Sequence, residues 1–349
     1  MHNKNKLNSP YLLNTESAQY YECSYSCDHA LVLVCGDEKF FFTDGRYDIE
    51  ARAYVHRGVE VIKAQDLVLS VCQFVIQNKI SSLIYDPLYT SVLDFERMKS
   101  LLSGIELRAQ TNFHQELRKV KTNEEIEKIR RSQKLNKEAF KRFAEFLQIS
   151  EGKNEKELHF WAQAFLSQNG QYSLSFDPIF ALNGNGAKAH ALPDETSILQ
   201  KGDWILFDAG IKYERYCSDM TRCAYFDREI DFFKSQTHSH SEFQKIYEVV
   251  REAKEYAIEN LREGMRAKEI DALARSVIEK KGFGQYFTHS TGHGIGLDIH
   301  ELPRISPKSD EIVSEGMVFS VEPGIYLAQQ IGVRLEDLVV IKNGRAEVL

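Results

Sequence analysis

Residues 204–223 read WILFDAGIKYERYCSDMTRC, two strand-like runs about a polar centre, with Asp208 and Asp219 eleven positions apart inside them. A chain that reverses at Lys212–Arg215 forms a hairpin, and a hairpin symmetric about that turn sets the two aspartates opposite one another. Opposed side chains stand about 4.5–5.5 Å apart at Cβ, where like charges are destabilising. The pair therefore asks for a positive group between its members, unless these are unrelated surface aspartates or a solvated polar patch.

A second stretch repeats the design. Residues 317–341, MVFSVEPGIYLAQQIGVRLEDLVVI, place Glu322 and Glu336 in runs rich in Val, Ile and Phe, with their midpoint in a turn near Ala328–Gln330. Period-2 alternation puts Val318, Ser320 and Glu322 on one face, and Arg334, Glu336, Leu338 and Val340 on one face of the return strand. A carboxylate buried in a strand costs several kcal/mol unless it is paired or metal-bound. For Glu336, a structural ion pair with Arg334 is the competing explanation. Two strand-turn-strand segments that each carry two carboxylates are also what an internally duplicated fold would produce.

Nitrogen comes from residues 289–303, HSTGHGIGLDIHELP, where His289, His293 and His300 lie among glycines that let the backbone pass close to other atoms. A lone histidine is usually a packed core or surface residue; three within twelve residues weaken that reading. His190, in the glycine-rich ALNGNGAKAHALPDE, carries little information by spacing alone. Four carboxylates and an imidazole make a hard, oxygen-rich site in which bridging carboxylates hold two divalent cations. Such a pair activates water and polarises a carbonyl, so metal-assisted hydrolysis is the reaction class suggested.

The rest of the chain sets the frame. At 349 residues, two domains are the working prior. Its 43% hydrophobic and 27% charged residues are those of an ordinary globular protein. The net charge of −7, with lysines and arginines interleaved among glutamates, disfavours nucleic acid as a partner. The start, MHNKNKLNSPYLL, has no apolar run of signal-peptide length, and nowhere do eighteen apolar residues follow one another. A cytoplasmic, membrane-free protein is expected. Six cysteines are too sparse for a disulfide framework, and Cys23 and Cys27 lack a second pair at zinc-site spacing, so reduced and mostly buried thiols are expected.

Residues 1–118 mix short apolar runs with helix-like stretches, and Asp44-Gly45 marks a tight turn after KFFFT. The boundary falls at the polar RKVKTN of residues 118–123. There Thr122 and Glu125 form a capping box for a helix whose apolar positions are Ile126, Ile129, Leu135, Phe140, Phe143 and Phe146. Two further helices are predicted over Phe243–Leu261 and Ala267–Lys281. His238 and His240, in FDREIDFFKSQTHSHSEF, are read as part of a solvated loop rather than a metal site.

Five ordered segments, FDPIFALNGNGAKAHALP, FDAGIKYERYCSDMTR, HSTGHGIGLDIHELP, EGMVFSVEPGIY and GVRLEDLVVI, together resemble the Xaa-Pro aminopeptidase and prolidase family, pita-bread relatives of methionine aminopeptidase and creatinase. Upstream, FFTDGRYDIEARAYV is similar to the N-terminal domain of that subfamily, which methionine aminopeptidases lack. The resemblance implies an α+β pita-bread catalytic domain over 119–349, an antiparallel-rich curved sheet with outer helices, preceded by a small α/β domain over 1–118. It implies that Asp208 chelates one ion, that Asp219 and Glu336 bridge two, and that His293 and Glu322 complete the second site. It also implies that Glu322 shuttles the proton, that His190 and His300 bind the substrate carbonyl and stabilise the tetrahedral intermediate, and that Arg334 orients the carboxylates.

The expected function is an aminopeptidase that removes the residue before a proline, with two divalent ions per subunit, manganese first and cobalt, zinc or iron as alternatives, in a homodimer. A prolidase acting on dipeptides is the alternative within the family. Non-catalytic pita-bread proteins that bind other proteins, usually marked by ligand loss, are the alternative outside it. Arg215, Cys223, Lys188 and Ala189 depart from residues common in relatives.

Overall fold

The computed structural model describes residues 9–227 and 229–349. Residues 1–8, on which the absence of a targeting segment was partly read, and Arg228 lie outside the described residues. The chain divides after Leu117 into two compact units.

The first unit is built on a six-stranded sheet of β1 (Tyr11–Leu13), β2 (Ala30–Cys35), β3 (Glu38–Thr43), β4 (Val59–Lys63), β5 (Ser82–Tyr85) and β6 (Glu106–Ala109), in the order β4-β3-β2-β1-β5-β6. Only β2 runs against its neighbours; the β3–β4, β1–β5 and β5–β6 pairs are parallel. Sheets of this kind are buried on both faces, which is why ALVLVC reads as an unbroken apolar run. Val32 and Val34 join Phe41 in one core, while Leu33 joins Phe40, Phe42 and the helix Leu67–Gln77 in the other. At Asp44 the carboxylate accepts the Arg46 amide at 2.8 Å, and the chain turns into the helix Asp48–Tyr54.

The second unit opens on the helix Asn123–Leu147. Its capping box is formed: Thr122 Oγ1 accepts the Glu125 amide at 3.3 Å, and Glu125 Oε2 accepts the Thr122 amide at 2.8 Å. Ile129, Leu135, Phe140 and Phe143 are buried along one face. So are Ser132, Gln133 and Asn136, which the apolar periodicity left out.

Its strands are β7 (Ser173–Leu174), β8 (Ile179–Leu182), β9 (Trp204–Ala209), β10 (Ile211–Tyr213), β11 (Tyr216–Cys217), β12 (Met220–Tyr225), β13 (Gly292–Gly294), β14 (Glu301–Ile305), β15 (Val318–Val321), β16 (Gly324–Leu327), β17 (Ile331–Arg334), β18 (Asp337–Lys342) and β19 (Arg345–Val348). They form sheets ordered β11-β10-β7, β12-β9-β8, β14-β13-β15-β18-β19 and β16-β17, with antiparallel pairing throughout. The strand β9 is buried on both faces. Ile205 and Phe207 pack with the helices Asn123–Leu147 and Glu155–Leu166, while Trp204 and Leu206 pack with the helices Ser241–Asn260 and Ala267–Lys280. Two helix pairs thus cover the two cores of one antiparallel system.

All six cysteines are free thiols, five of them buried. Among the described residues no helix is long and apolar enough to cross a membrane. His238 lies half-buried in a largely exposed loop with His240 exposed beside it: its ring packs against Trp204, Tyr225 and Phe243, with the Tyr225 centroid 4.9 Å away. Gln236 ties this loop to β12 by accepting the Tyr225 amide at 3.1 Å. Thr122→Ala removes a paired cap and is expected to lower stability by about 1 kcal/mol, measured as a lower urea midpoint at unchanged m-value.

Candidate active site

The first hairpin turns one residue later than the symmetry of the aspartates suggested. Glu214 and Arg215 both have positive φ, 46° and 73°, and join Tyr213 to Tyr216 as a two-residue turn, the geometry in which both central residues must lie on the left-handed side. Asp208 consequently faces Thr221 across the ladder, not Asp219. Asp219 sits just before β12, where the ladder is interrupted. Gly210 is required there, since a Cβ on it would stand 1.9 Å from the Ser218 carbonyl oxygen.

The helix Asn123–Leu147 repairs that interruption. Gln133 receives the Asp219 amide at 3.3 Å and donates to the Asp219 carbonyl at 3.0 Å, while Asn136 donates to the Ala209 carbonyl at 2.7 Å. Buried backbone groups must find partners, and here side chains from a helix provide them. These residues hold the Asp219 backbone, and the sequence reading missed them because a polar edge on an amphipathic helix ordinarily faces water.

The other acidic and imidazole groups also sit at breaks. Glu322 follows β15 directly, and its amide leaves the hairpin to donate to the Thr291 carbonyl at 2.8 Å. Glu336 precedes β18, and its amide donates to the Thr221 carbonyl at 3.1 Å. His293 stands at a register shift within β13. Breaks and bulges re-aim side chains out of the pleat, and these converge. Ligand atoms of Asp219, His293 and Glu336 all lie within 4.8 Å of one another. His293 Nε2 is 3.5 Å from Asp219 Oδ2 and 3.4 Å from Glu322 Oε1.

Hydrogen bonds fix the ionisable groups. His293 Nδ1 lies 3.1 Å from the Gly294 carbonyl, an acceptor, so that nitrogen is the donor and Nε2 is the one turned to the carboxylates. Thr221 donates to Glu336 Oε2 at 2.9 Å, and Ser320 donates to Glu322 Oε1 at 3.1 Å. Arg334 pairs with Asp208 Oδ2 at 2.7 Å and not with Glu336, so a structural ion pair does not explain Glu336. Arg334 also donates to Thr221 Oγ1, to the Ala189 carbonyl and to Tyr326 Oη.

Two oxygens have no donor. Asp208 Oδ1 and Glu336 Oε1 are buried and unpartnered, each at the cost of a full desolvation penalty. Burial, then the charges of Asp208 and Glu322, raises the Asp219 carboxyl well above the ordinary range. Burial, then Asp219, Glu322 and Asp208, does the same to Glu336. Burial also raises Glu322, with the His293 imidazole acting against it. Gathered carboxylates, orphaned oxygens and an imidazole nitrogen facing one another fit divalent cations and a hard donor set.

The remaining predicted histidines border this cluster. The His300 ring meets the His293 ring edge-on with centroids 4.4 Å apart. His190 is exposed, on the loop after β8, and close enough that its charge lowers the pKa of both His289 and His300. His289, which the sequence raised but assigned no role, accepts from the Tyr326 hydroxyl at 2.9 Å, because its Nδ1 is used by the Ser290 carbonyl. Burial, then the Arg334 charge, pushes His289 down to about 4, so it is neutral at working pH. Tyr326 is the other residue the sequence reading did not single out; an apolar strand with one tyrosine gives no signal that its hydroxyl is used.

Residues 127–343, which hold all five predicted ligands, match metallopeptidase family M24. The chain belongs to family M24. An Xaa-Pro dipeptidase of Pyrococcus furiosus is 37% identical over 255 residues, 73% of this chain and 69% of that protein. The solved structure of an Xaa-Pro dipeptidase from Bacillus anthracis is similar with a TM-score of 0.87 at 30% identity, covering 97% of this chain and 92% of that one. That of an X-Pro aminopeptidase from Thermotoga maritima is similar with a TM-score of 0.84 at 30% identity, covering 97% and 94%. This M24 chain is therefore a hydrolase of the metallopeptidase kind, with the pita-bread fold behind a small N-terminal α/β unit.

The raised Asp219 and Glu336 carboxyls bind protons more tightly folded than unfolded, so folding takes up protons. Without metal, the stability they cost grows as pH rises above about 4. Asp219→Asn is expected to raise the melting temperature of chelator-treated protein at pH 8, with a smaller gain at pH 5. A lower melting temperature at pH 8 would refute the like-charge account.

Proposed function

We propose that this M24 hydrolase cleaves the bond between an N-terminal residue and a following proline, as an Xaa-Pro aminopeptidase. The observation that carries the reading is the Asp219–His293–Glu336 set flanked by Asp208 and Glu322, with unpartnered carboxylate oxygens in the same cluster as the imidazole Nε2. Asp208, Asp219, His293, Glu322 and Glu336 would hold two divalent cations, with manganese proposed first and cobalt, zinc or iron as alternatives. Bound there, the cations supply Lewis acidity that polarises the scissile carbonyl and acidifies a water.

The protein's own groups do the remaining work. Glu322, raised by burial and held by Ser320, takes the proton from the attacking water and delivers it to the proline nitrogen. That nitrogen needs it, because the nitrogen of a tertiary amide leaves the tetrahedral intermediate well only once it is protonated. His300 and His190 at the cleft edge donate to the carbonyl oxygen as charge develops on it. The Arg334 guanidinium, opposed by burial and upheld by Tyr326 and Asp208, stays charged and holds Asp208 in its place.

A dipeptidase reading is favoured by the similarity to the Xaa-Pro dipeptidases of Pyrococcus furiosus and Bacillus anthracis. Hydrolysis of Ala-Pro-Ala, Ala-Pro, Ala-Ala-Ala and Met-Ala-Ala by chelator-stripped protein, with each metal added back, separates the readings. Cleavage of both proline peptides is the expected result, cleavage of Ala-Pro alone makes the enzyme a dipeptidase, and cleavage of Met-Ala-Ala alone overturns the proline assignment. No cleavage with any metal would leave a protein-binding module. Glu322→Gln is expected to lower kcat by about 10²-fold or more, and His293→Ala to lower metal content; normal turnover in either variant would refute its role.

A further inference from the structure

The loop between β8 and β9 carries His190 past the cleft without regular structure beyond a short 3₁₀ turn, Asn183–Ala187. An exposed histidine on such a loop does not hold an aim by itself, so the question is what fixes the loop. One side is held by the site, where Arg334 donates to the Ala189 carbonyl at 3.0 Å. Another is held by packing, since a Cβ on Gly332 would stand 1.7 Å from the Gly186 carbonyl oxygen. The third is a single buried side chain from outside the cleft.

Glu155, the first residue of the helix Glu155–Leu166, is fully buried. It turns away from solvent and takes three donors from this loop: the Leu182 amide on Oε1 at 2.6 Å, and the Asn185 side-chain amide and the Asp194 backbone amide on Oε2 at 2.6 and 2.7 Å. Asn185 also donates to the Leu192 carbonyl at 3.0 Å and receives Lys188 on its own oxygen at 2.9 Å. The bonds therefore bracket His190 on both sides. Burial raises the Glu155 carboxyl while the three donors act to lower it. A start-of-helix role alone does not account for the arrangement, because Asn154 and Glu157 already form the capping box of that helix.

We infer that Glu155 is a positioning residue that aims His190 into the cleft by holding both arms of its loop. The inference rests on the proposed role of His190 in binding the scissile carbonyl. A carboxylate is required, since both oxygens face N–H groups. A glutamine would turn its own amide hydrogens against at least one of them.

The test uses the metal-loaded full chain and the variants E155Q, H190A and E155Q/H190A, with N185A as a milder break of the same clamp. E155Q is expected to lower kcat on the order of 10- to 100-fold, as misplacement of a catalytic group does, at unchanged metal content. N185A is expected to shift kcat in the same direction. The double variant is expected to be no slower than H190A, and amide hydrogen exchange in E155Q to quicken over residues 182–194 and not over 289–301. Equal loss from E155Q in the presence and absence of His190, or unchanged exchange in the loop, would overturn the inference. Normal turnover of H190A would instead remove His190 from the mechanism. Exchange alone would then decide on Glu155, with quickening over 182–194 supporting the clamp and none refuting it.

Discussion

Asp208, Asp219 and Glu336 are buried with the half-buried Glu322 beside them, and a folded chain that gathers four carboxylates needs positive charge among them. Arg334 answers part of the need by pairing with Asp208. The pairing leaves Asp208 Oδ1 and Glu336 Oε1 without donors. A second arginine would have filled those positions and ended the chemistry. An unmet need for a cation, in a cleft that also offers an imidazole nitrogen, is what fits this cluster to divalent cations rather than to an ion-pair network.

That arrangement depends on breaking strands in the right places. Asp219, Glu322 and Glu336 each sit at the end of a ladder and His293 at a register shift. An unbroken β-strand would send successive side chains to alternate faces and keep these groups apart. Each break frees backbone groups that must be satisfied, and the fold supplies unusual partners: Gln133 and Asn136 from a helix, and the Thr221 and Thr291 carbonyls from neighbouring strands. Two helix pairs over two cores then hold the broken hairpins in register.

Carboxylates outside the cluster serve the loops around it. Asp271 accepts the Thr291 amide and hydroxyl while Arg275, paired with it, donates to the carbonyls of Phe287 and His289. Glu301, buried against Lys121 at 3.1 Å, receives the Asp298 amide in the segment that ends at His300. Burial opposes the charge of Glu301, and Lys121 and Arg118 more than restore it, so its carboxyl lies below the usual range. In these loops, as in the one held by Glu155, buried charge with full partners gives irregular backbone the definition that strands obtain from their ladders.

The sequence by itself determined the two hairpins, the capping box at Thr122, the acidic and imidazole residues proposed as ligands and, through its resemblance, the family and fold. These are local: alternation, turn chemistry and capping act between residues a few positions apart, and a carboxylate in an apolar strand is anomalous wherever it is met. Only the tertiary structure decided that Asp208 faces Thr221, that Arg334 pairs with Asp208 and not Glu336, that His238 packs among aromatic rings, that Gln133 holds the Asp219 backbone, that Tyr326 bonds Arg334, and that Glu155 bonds the loop around His190. A one-residue change in where a hairpin turns moves every partner across the ladder. Contacts between residues as far apart as Arg334 and Asp208 have no local pattern, because they exist only once separate elements have packed.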